Sequence, residues 1–213
     1  QVLEKGCWSD IQTIATGQGD WNYHLNVSDG TEFSVSIQNE KATVNWSMTG
    51  LHNVLNAIAA MAAARHVGVT AKIAAEALSQ FGGVKRRLEL LADISTVEGI
   101  ESIKIYDDFA HHPTAIETTL DGLRKQVGDD LIIALIEPRS NTMKMGIHQN
   151  TLLASAEQSD QAIWANLATD DSMNWLNLMV ENAGNQHHLG TSVEGIIKQI
   201  KQQLELAKDE LTL

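Results

Sequence analysis

Residues 131–144 read Leu-Ile-Ile-Ala-Leu-Ile-Glu-Pro-Arg-Ser-Asn-Thr-Met-Lys. Alternate side chains of a strand point to opposite faces, so six apolar residues in a row, Leu131 to Ile136, leave no face for water. Such a run suits a strand covered on both sides, as in a parallel sheet. Working outward, Pro113 to Val127 has helical spacing with proline in its first turn, where the missing N–H costs nothing. Leu88 to Ile94 and Ile100 to Tyr106 read as strands before it. Downstream, Gln161 to Asn166 and His187 to Leu189 are strand-like, whereas Ser172 to Asn182 and Ser192 to Ala207 are helical. Strands alternating with helices predict a doubly wound α/β domain. Leu211 to Leu213 reads as a last strand cut short.

Residues 1 to 47 have a different texture. Asp20 to Val27 alternates polar and apolar residues, Asp29-Gly30 follows as a turn, and Glu32 to Ile37 alternates again, which is a hairpin signal. Ala42 to Trp46 completes a small antiparallel meander. The period then changes: Gly50 to Val67 is alanine-rich, with Leu51, Val54, Leu55, Ile58 and Met61 at helical spacing. Small residues on several of its faces predict a helix packed against close neighbours. Thr70 is placed to cap a second helix running to about Phe81, and Gly82-Gly83 ends it. The spacing therefore puts a domain boundary near residues 82–85, giving domains 1–83 and 84–213.

Composition bounds the function. The 213 residues are 43% hydrophobic and 20% charged, with two prolines, which is ordinary for a folded chain. Twenty-seven acids against 15 bases give a formal charge of −12. That field repels phosphate backbones, and no basic stripe interleaves with aromatics, so nucleic acid is not an expected partner. Cys7 is the only cysteine and can form neither an internal disulfide nor a zinc site. The apolar run Ala57 to Ala64 is too short to cross a bilayer. The chain opens at Gln1 without an initiator methionine, as if in mid-domain, and reads as a fragment.

Four clusters could carry chemistry. Asn53 and Asn56, three apart, share one face near the start of the alanine-rich helix, and two carboxamides suit a purine edge; helix capping is the alternative reading. Lys85-Arg86-Arg87 follows Gly82-Gly83, where arginine forks could meet phosphates; a solvated hinge is the alternative. Asp107-Asp108 and His111-His112 lie between a strand and a proline-started helix, where α/β proteins place ligands. Such pairs could bind a metal or accept from ribose hydroxyls; capping of that helix is the alternative reading. Arg139-Ser140-Asn141 follows the buried strand with donors suited to a carboxylate, against an ordinary polar connection. His187-His188 has no partner at ligand spacing and is read as structural, and the five tryptophans as packing residues. Neither a phosphate-loop nor a dinucleotide glycine fingerprint occurs.

In order and spacing, Gly50-Leu51-His52-Asn53-Val54-Leu55-Asn56-Ala57, Gly83 to Glu89 and Asp107 to Thr114 resemble the Mur ligase family. Glu137 to Met143 is similar to the form in one branch, which joins a preformed cell-wall tripeptide to UDP-N-acetylmuramate. The resemblance implies an α/β fold: a Rossmann-like C-terminal domain, residues 84–213, preceded by the β-meander and helices that end the central ATPase domain, residues 1–83. It implies a cytoplasmic, ATP- and Mg²⁺-dependent amide ligase of peptidoglycan recycling. The muramyl carboxylate would become an acyl phosphate, which the amine of L-Ala-γ-D-Glu-meso-diaminopimelate attacks. Asn53 and Asn56 would contact adenine, and Arg87 and Asp108 would serve nucleotide binding and catalysis. Arg139, Ser140 and Asn141 would bind the amine substrate's carboxylate, with His112 in the same cleft. The family's phosphate loop and magnesium ligands would lie upstream, and a glycine-rich segment after Leu213, so the fragment alone is expected to be inactive. No obligatory protein partner is implied. The alternatives are the ligase that adds free L-alanine to the same sugar, and a non-catalytic nucleotide- or peptide-binding module.

Overall fold

The computed structural model describes residues 3–95 and 102–210. The chain divides into two compact units, Gln1–Gly83 and Val84–Leu213.

In the first unit, β1 (Ile14–Ala15) runs parallel to β2 (Trp21–Leu25), which pairs antiparallel with β3 (Glu32–Ile37), and β3 with β4 (Glu40–Asn45). The expected meander is present, with a short parallel edge strand that its two residues could not announce. Alternation decides the faces: Phe33, Val35 and Ile37 are buried, and Ser34 and Ser36 point away. Helix α1 (Leu51–His66) covers the apolar face with Val54, Ala57, Ile58 and Met61, the 3–4 spacing of one helical stripe. Its remaining alanines differ from expectation, because Ala59, Ala60 and Ala63 are exposed among the described residues. Helix α2 (Ala71–Ser79) is capped by Thr70, whose hydroxyl accepts from the Ile73 amide at 3.3 Å. Glu40 accepts from the Ala71 amide at 2.9 Å and pairs with Arg65, and the Arg65 contact holds its carboxyl below the ordinary carboxylate range.

The second unit opens with an antiparallel pair, β5 (Glu89–Ile94) and β6 (Ile103–Asp107), with a bulge between Leu90 and Ala92. Positions 100 and 101, read as the start of the second strand, and 211–213, read as a last strand, lie outside the described residues. Helix α3 (Pro113–Val127) matches the expected span, and Gly128 ends it at φ 65°. The three-stranded sheet β7 (Ile133–Ile136), β8 (Gln161–Ala165) and β9 (His187–Gly190) is parallel throughout, in sequential order. Along β8, Ala162 and Trp164 join Ile116 and Leu120 of α3 and Leu176 and Val180 of α6 (Asn174–Glu181) in one core. Ile163 and Ala165 point the other way, toward Ile196 of α7 (Val193–Glu210). The central strand β8 is thus buried on both faces, whereas the run Leu131 to Ile136, expected to be dry on both sides, is covered mainly on one: Ile132 and Ala134 are buried, and Leu131 and Leu135 are exposed. Strand β7 has only one neighbour among the described strands. Two short helices, α4 (Asn141–Lys144) and α5 (Gln149–Leu152), occupy the stretch after β7 that reads as loop from sequence.

Candidate functional site

The Asn53–Asn56 face begins at a tight junction. Gly50, at φ 90°, donates its amide to the Asp29 carbonyl at 2.7 Å, which ties the hairpin turn to the start of α1. Asn53 sits in the first turn, and its Nδ2 donates back to the Thr49 carbonyl at 2.7 Å. One of its donors is therefore committed to the chain, while the Asn56 carboxamide is exposed.

In the second unit, the turn bearing the bases is held from beneath by acids. Arg86 and Leu88 adopt left-handed backbone, φ 60° and 49°, a conformation that costs a non-glycine residue energy and persists only when its surroundings enforce it. Asp108 is one enforcer: its two carboxylate oxygens accept from the Leu88 and Ala110 amides, each at 2.7 Å. Glu89 accepts from the Arg86 amide at 2.8 Å, and the Arg86 carbonyl accepts from the Phe109 amide at 2.8 Å. The Arg86 side chain reaches Asp107 at 3.2 Å and lies over the Phe109 ring at 5.1 Å, with Arg87 at 6.0 Å from the same centroid. Arg87 is thereby exposed on a turn whose backbone is pinned on both sides. Glu89 and Phe109, which carried no role in the sequence reading, do part of this pinning.

His112 caps α3, its Nδ1 accepting from the Thr114 amide at 3.3 Å, which leaves Nε2 as the proton-bearing nitrogen of the neutral ring. Its other neighbour was not foreseen: the His148 ring meets it edge-on at 4.5 Å. At the end of β7, Ser140 Oγ accepts from the Met143 amide at 3.3 Å and caps α4. Arg139 and Asn141 on either side of it are exposed, while Met143 is buried in the core below. The structure thus brings Arg139, Ser140 and Asn141 onto one short loop at the C-terminal edge of the parallel sheet, where open α/β sheets bind ligands. On β9, His187 Nδ1 accepts from the Trp164 indole at 3.1 Å and His188 Nε2 pairs with Gln161 at 2.6 Å.

A cleft of about 710 Å³ lies over the outer face of β2–β4, lined in part by His24, Ser36, Lys41 and Lys72. None of the candidate residues lines it, so its size is outweighed by the chemistry gathered elsewhere. Among the described residues, no three His, Cys, Asp or Glu side chains stand together as a metal cage, and no helix is long and apolar enough to cross a membrane.

Comparison with known proteins shows the family. Residues 86–210 match the family model described as Mur ligase, glutamate ligase domain. The chain is 45% identical over 163 residues to the UDP-N-acetylmuramate–L-alanyl-γ-D-glutamyl-meso-2,6-diaminoheptandioate ligase of Escherichia coli, covering 76% of this chain and 34% of that protein. It is 38% identical over 120 residues to the UDP-N-acetylmuramate–L-alanine ligase of Caldicellulosiruptor bescii, covering 55% of this chain and 25% of the relative. A crystal structure of a murein peptide ligase from Psychrobacter arcticus superposes with a TM-score of 0.63 at 43% identity, over 93% of this chain and 42% of that one. The chain spans about a third of the length of the curated relatives it matches.

Proposed function

Since the chain belongs to the Mur ligase family, we propose that it supplies the amine-substrate lobe, and the end of the ATPase lobe, of an ATP-dependent ligase. The reaction joins L-Ala-γ-D-Glu-meso-diaminopimelate to UDP-N-acetylmuramate in the recycling of cell-wall peptide. The observation that carries this reading is the strand-end loop: Ser140 is spent on capping α4, so Arg139 and Asn141 are presented outward beside it. A guanidinium there matches a carboxylate in two-point fashion.

The chain's own residues divide the work. Asn56 offers a free-facing carboxamide to the adenine edge, and Asn53 the part of its amide not bound to Thr49. Arg87 meets phosphate oxygens from a turn that Asp108 has already frozen, so little reorganisation accompanies binding. In this reading Asp108 acts through Arg87, by holding the Leu88 and Ala110 amides, as much as through any ribose contact. Arg139, with Ser140 and Asn141, orients the amine substrate, and His112 stands at the rim of the same edge through its place on α3. ATP, when bound, supplies the phosphoryl group that activates the muramyl carboxylate. The described residues offer Mg²⁺ no cage, and the reading assigns it no ligand in this chain. UDP-N-acetylmuramate is the second substrate, and the reaction is placed in the cytoplasm, where ATP and the UDP-sugar are available.

The nearest rival is addition of free L-alanine to the same sugar. The higher identity to the tripeptide ligase, 45% against 38%, favours the first reading. Protein made from the complete open reading frame, given ATP, UDP-N-acetylmuramate and both amines in competition, is expected to consume tripeptide first. Preference for L-alanine would overturn the choice.

A further inference from the structure

Apart from the Ser140 cap and the buried Met143, the loop that carries Arg139, Ser140 and Asn141 has little of its own to hold it still. Helix α4 is four residues long, far below the length at which a helix is stable alone. Beyond Met143, its anchors are two rings. Trp175, in the first turn of α6, donates its indole N–H to the Lys144 carbonyl at 2.9 Å. Gly146, at φ 67°, lies against the face of the same ring, where an added Cβ would stand 3.3 Å from the indole. On the far side, His148 meets His112, the cap of α3. Asp170, in the connection after β8, attracts Lys144 while accepting from the amide and hydroxyl of Ser172. The connections that follow β6, β7 and β8 are therefore tied to one another, with Trp175 at the centre of the β7–β8 tie.

We propose that Trp175 is a positioning residue for the amine substrate, fixing the loop that carries Arg139 and thereby the placement of the incoming peptide's carboxylate. The proposal rests on the ligase reading given above. Two-point recognition of a carboxylate tolerates little displacement, so a loop released by a fraction of an ångström binds its ligand less well even when the guanidinium is intact. No charge of Trp175 enters; the indole acts through the Lys144 carbonyl and the Gly146 backbone alone. The residue was invisible as a functional candidate because its partner lies 31 positions away.

The test is steady-state ligation by protein from the complete open reading frame, comparing wild type with Trp175→Phe, which keeps a ring beneath Gly146 and removes the donor. The tripeptide KM is expected to rise about fivefold, the worth of one neutral hydrogen bond. KM for ATP and for UDP-N-acetylmuramate should stay unchanged, with the melting temperature close to wild type. Gly146→Ala, which pushes the loop off the ring and strains a left-handed backbone, is expected to show the same split with a roughly tenfold rise. An unchanged tripeptide KM in both variants overturns the proposal, as does an equal rise in all three KM values, which would mark a general loosening of the fold. Wild-type protein that ligates neither amine overturns the ligase reading and this inference with it.

Discussion

Asp108 is a single carboxylate whose two oxygens satisfy two backbone amides from different connections, Leu88 and Ala110. Charge-assisted bonds of this kind are about twice as strong as neutral ones, and one of them holds the left-handed Leu88 in place. Asp108→Asn keeps one acceptor and points an amide at the second N–H. We expect it to lower unfolding stability by about 1–2 kcal/mol, measured by denaturant titration, and to lower ligation with ATP through Arg87. A variant as stable as wild type would contradict the pinning role. Gly190 makes a different demand. It closes β9 where a Cβ would overlap the Ile196 side chain of α7 and press on Ile163. Gly190→Ala is expected to cost roughly 1–3 kcal/mol through overpacking, seen as a lower melting temperature, and Ile196→Ala in the same chain should recover part of the loss.

At the scale of elements, β9 carries a pH dependence. Burial, aided by the neighbouring His188, holds the His187 imidazole below the ordinary histidine value. The folded state then binds fewer protons than the unfolded chain once pH drops toward the unfolded value of about 6.5. Stability is full above that pH and is lost as pH falls through and below it. His187→Gln, whose side-chain oxygen can still accept from Trp164, is expected to flatten the fall in melting temperature on acidification below about pH 6.5. An unaltered slope would remove His187 as its source. The helices show how much each local signal was worth. Thr70 and Pro113 mark the starts of α2 and α3 in the sequence and in the structure, because caps depend on neighbours two or three residues away. Helix α2 stops at Ser79, two residues short of Phe81. Helix α4 gave no periodic signal at all, since four residues are barely one turn.

The whole molecule is two compact units, and the ligase reading gives the adenine contacts to the first and the amine-substrate contacts, with the phosphate-binding Arg87, to the second. That division predicts separable kinetics. In protein from the complete open reading frame, Asn56→Ala should raise KM for ATP by about threefold to tenfold, the range for a lost neutral hydrogen bond, with tripeptide KM unchanged. Arg139→Ala should raise tripeptide KM by roughly 10- to 100-fold, the range for a bond to a charged group, with KM for ATP unchanged. If both variants moved both constants equally, the assignment of Asn56 to ATP and Arg139 to the tripeptide would fail.

Much of this was legible in one dimension. The alternation around Asp29-Gly30 and the stripe Val54, Ala57, Ile58, Met61 each state which faces must be dry, and burial follows periodicity directly; the apolar run Leu131 to Ile136 does so only in part, since Ile132 and Ala134 are buried while Leu131 and Leu135 are exposed. The cluster strings that resemble the family likewise put Asn53 and Asn56 near the start of a helix, Asp108 and His112 between a strand and a helix, Arg139 to Asn141 after a strand, and Arg87 at the domain junction. Only the tertiary structure could decide what those residues touch. That Asp108 reaches the Leu88 amide, that His148 faces His112 and that Trp175 holds Lys144 depend on contacts across long stretches of chain. Periodicity encodes a residue's own face, but a hydrogen bond between residues dozens of positions apart exists only once the intervening chain has closed.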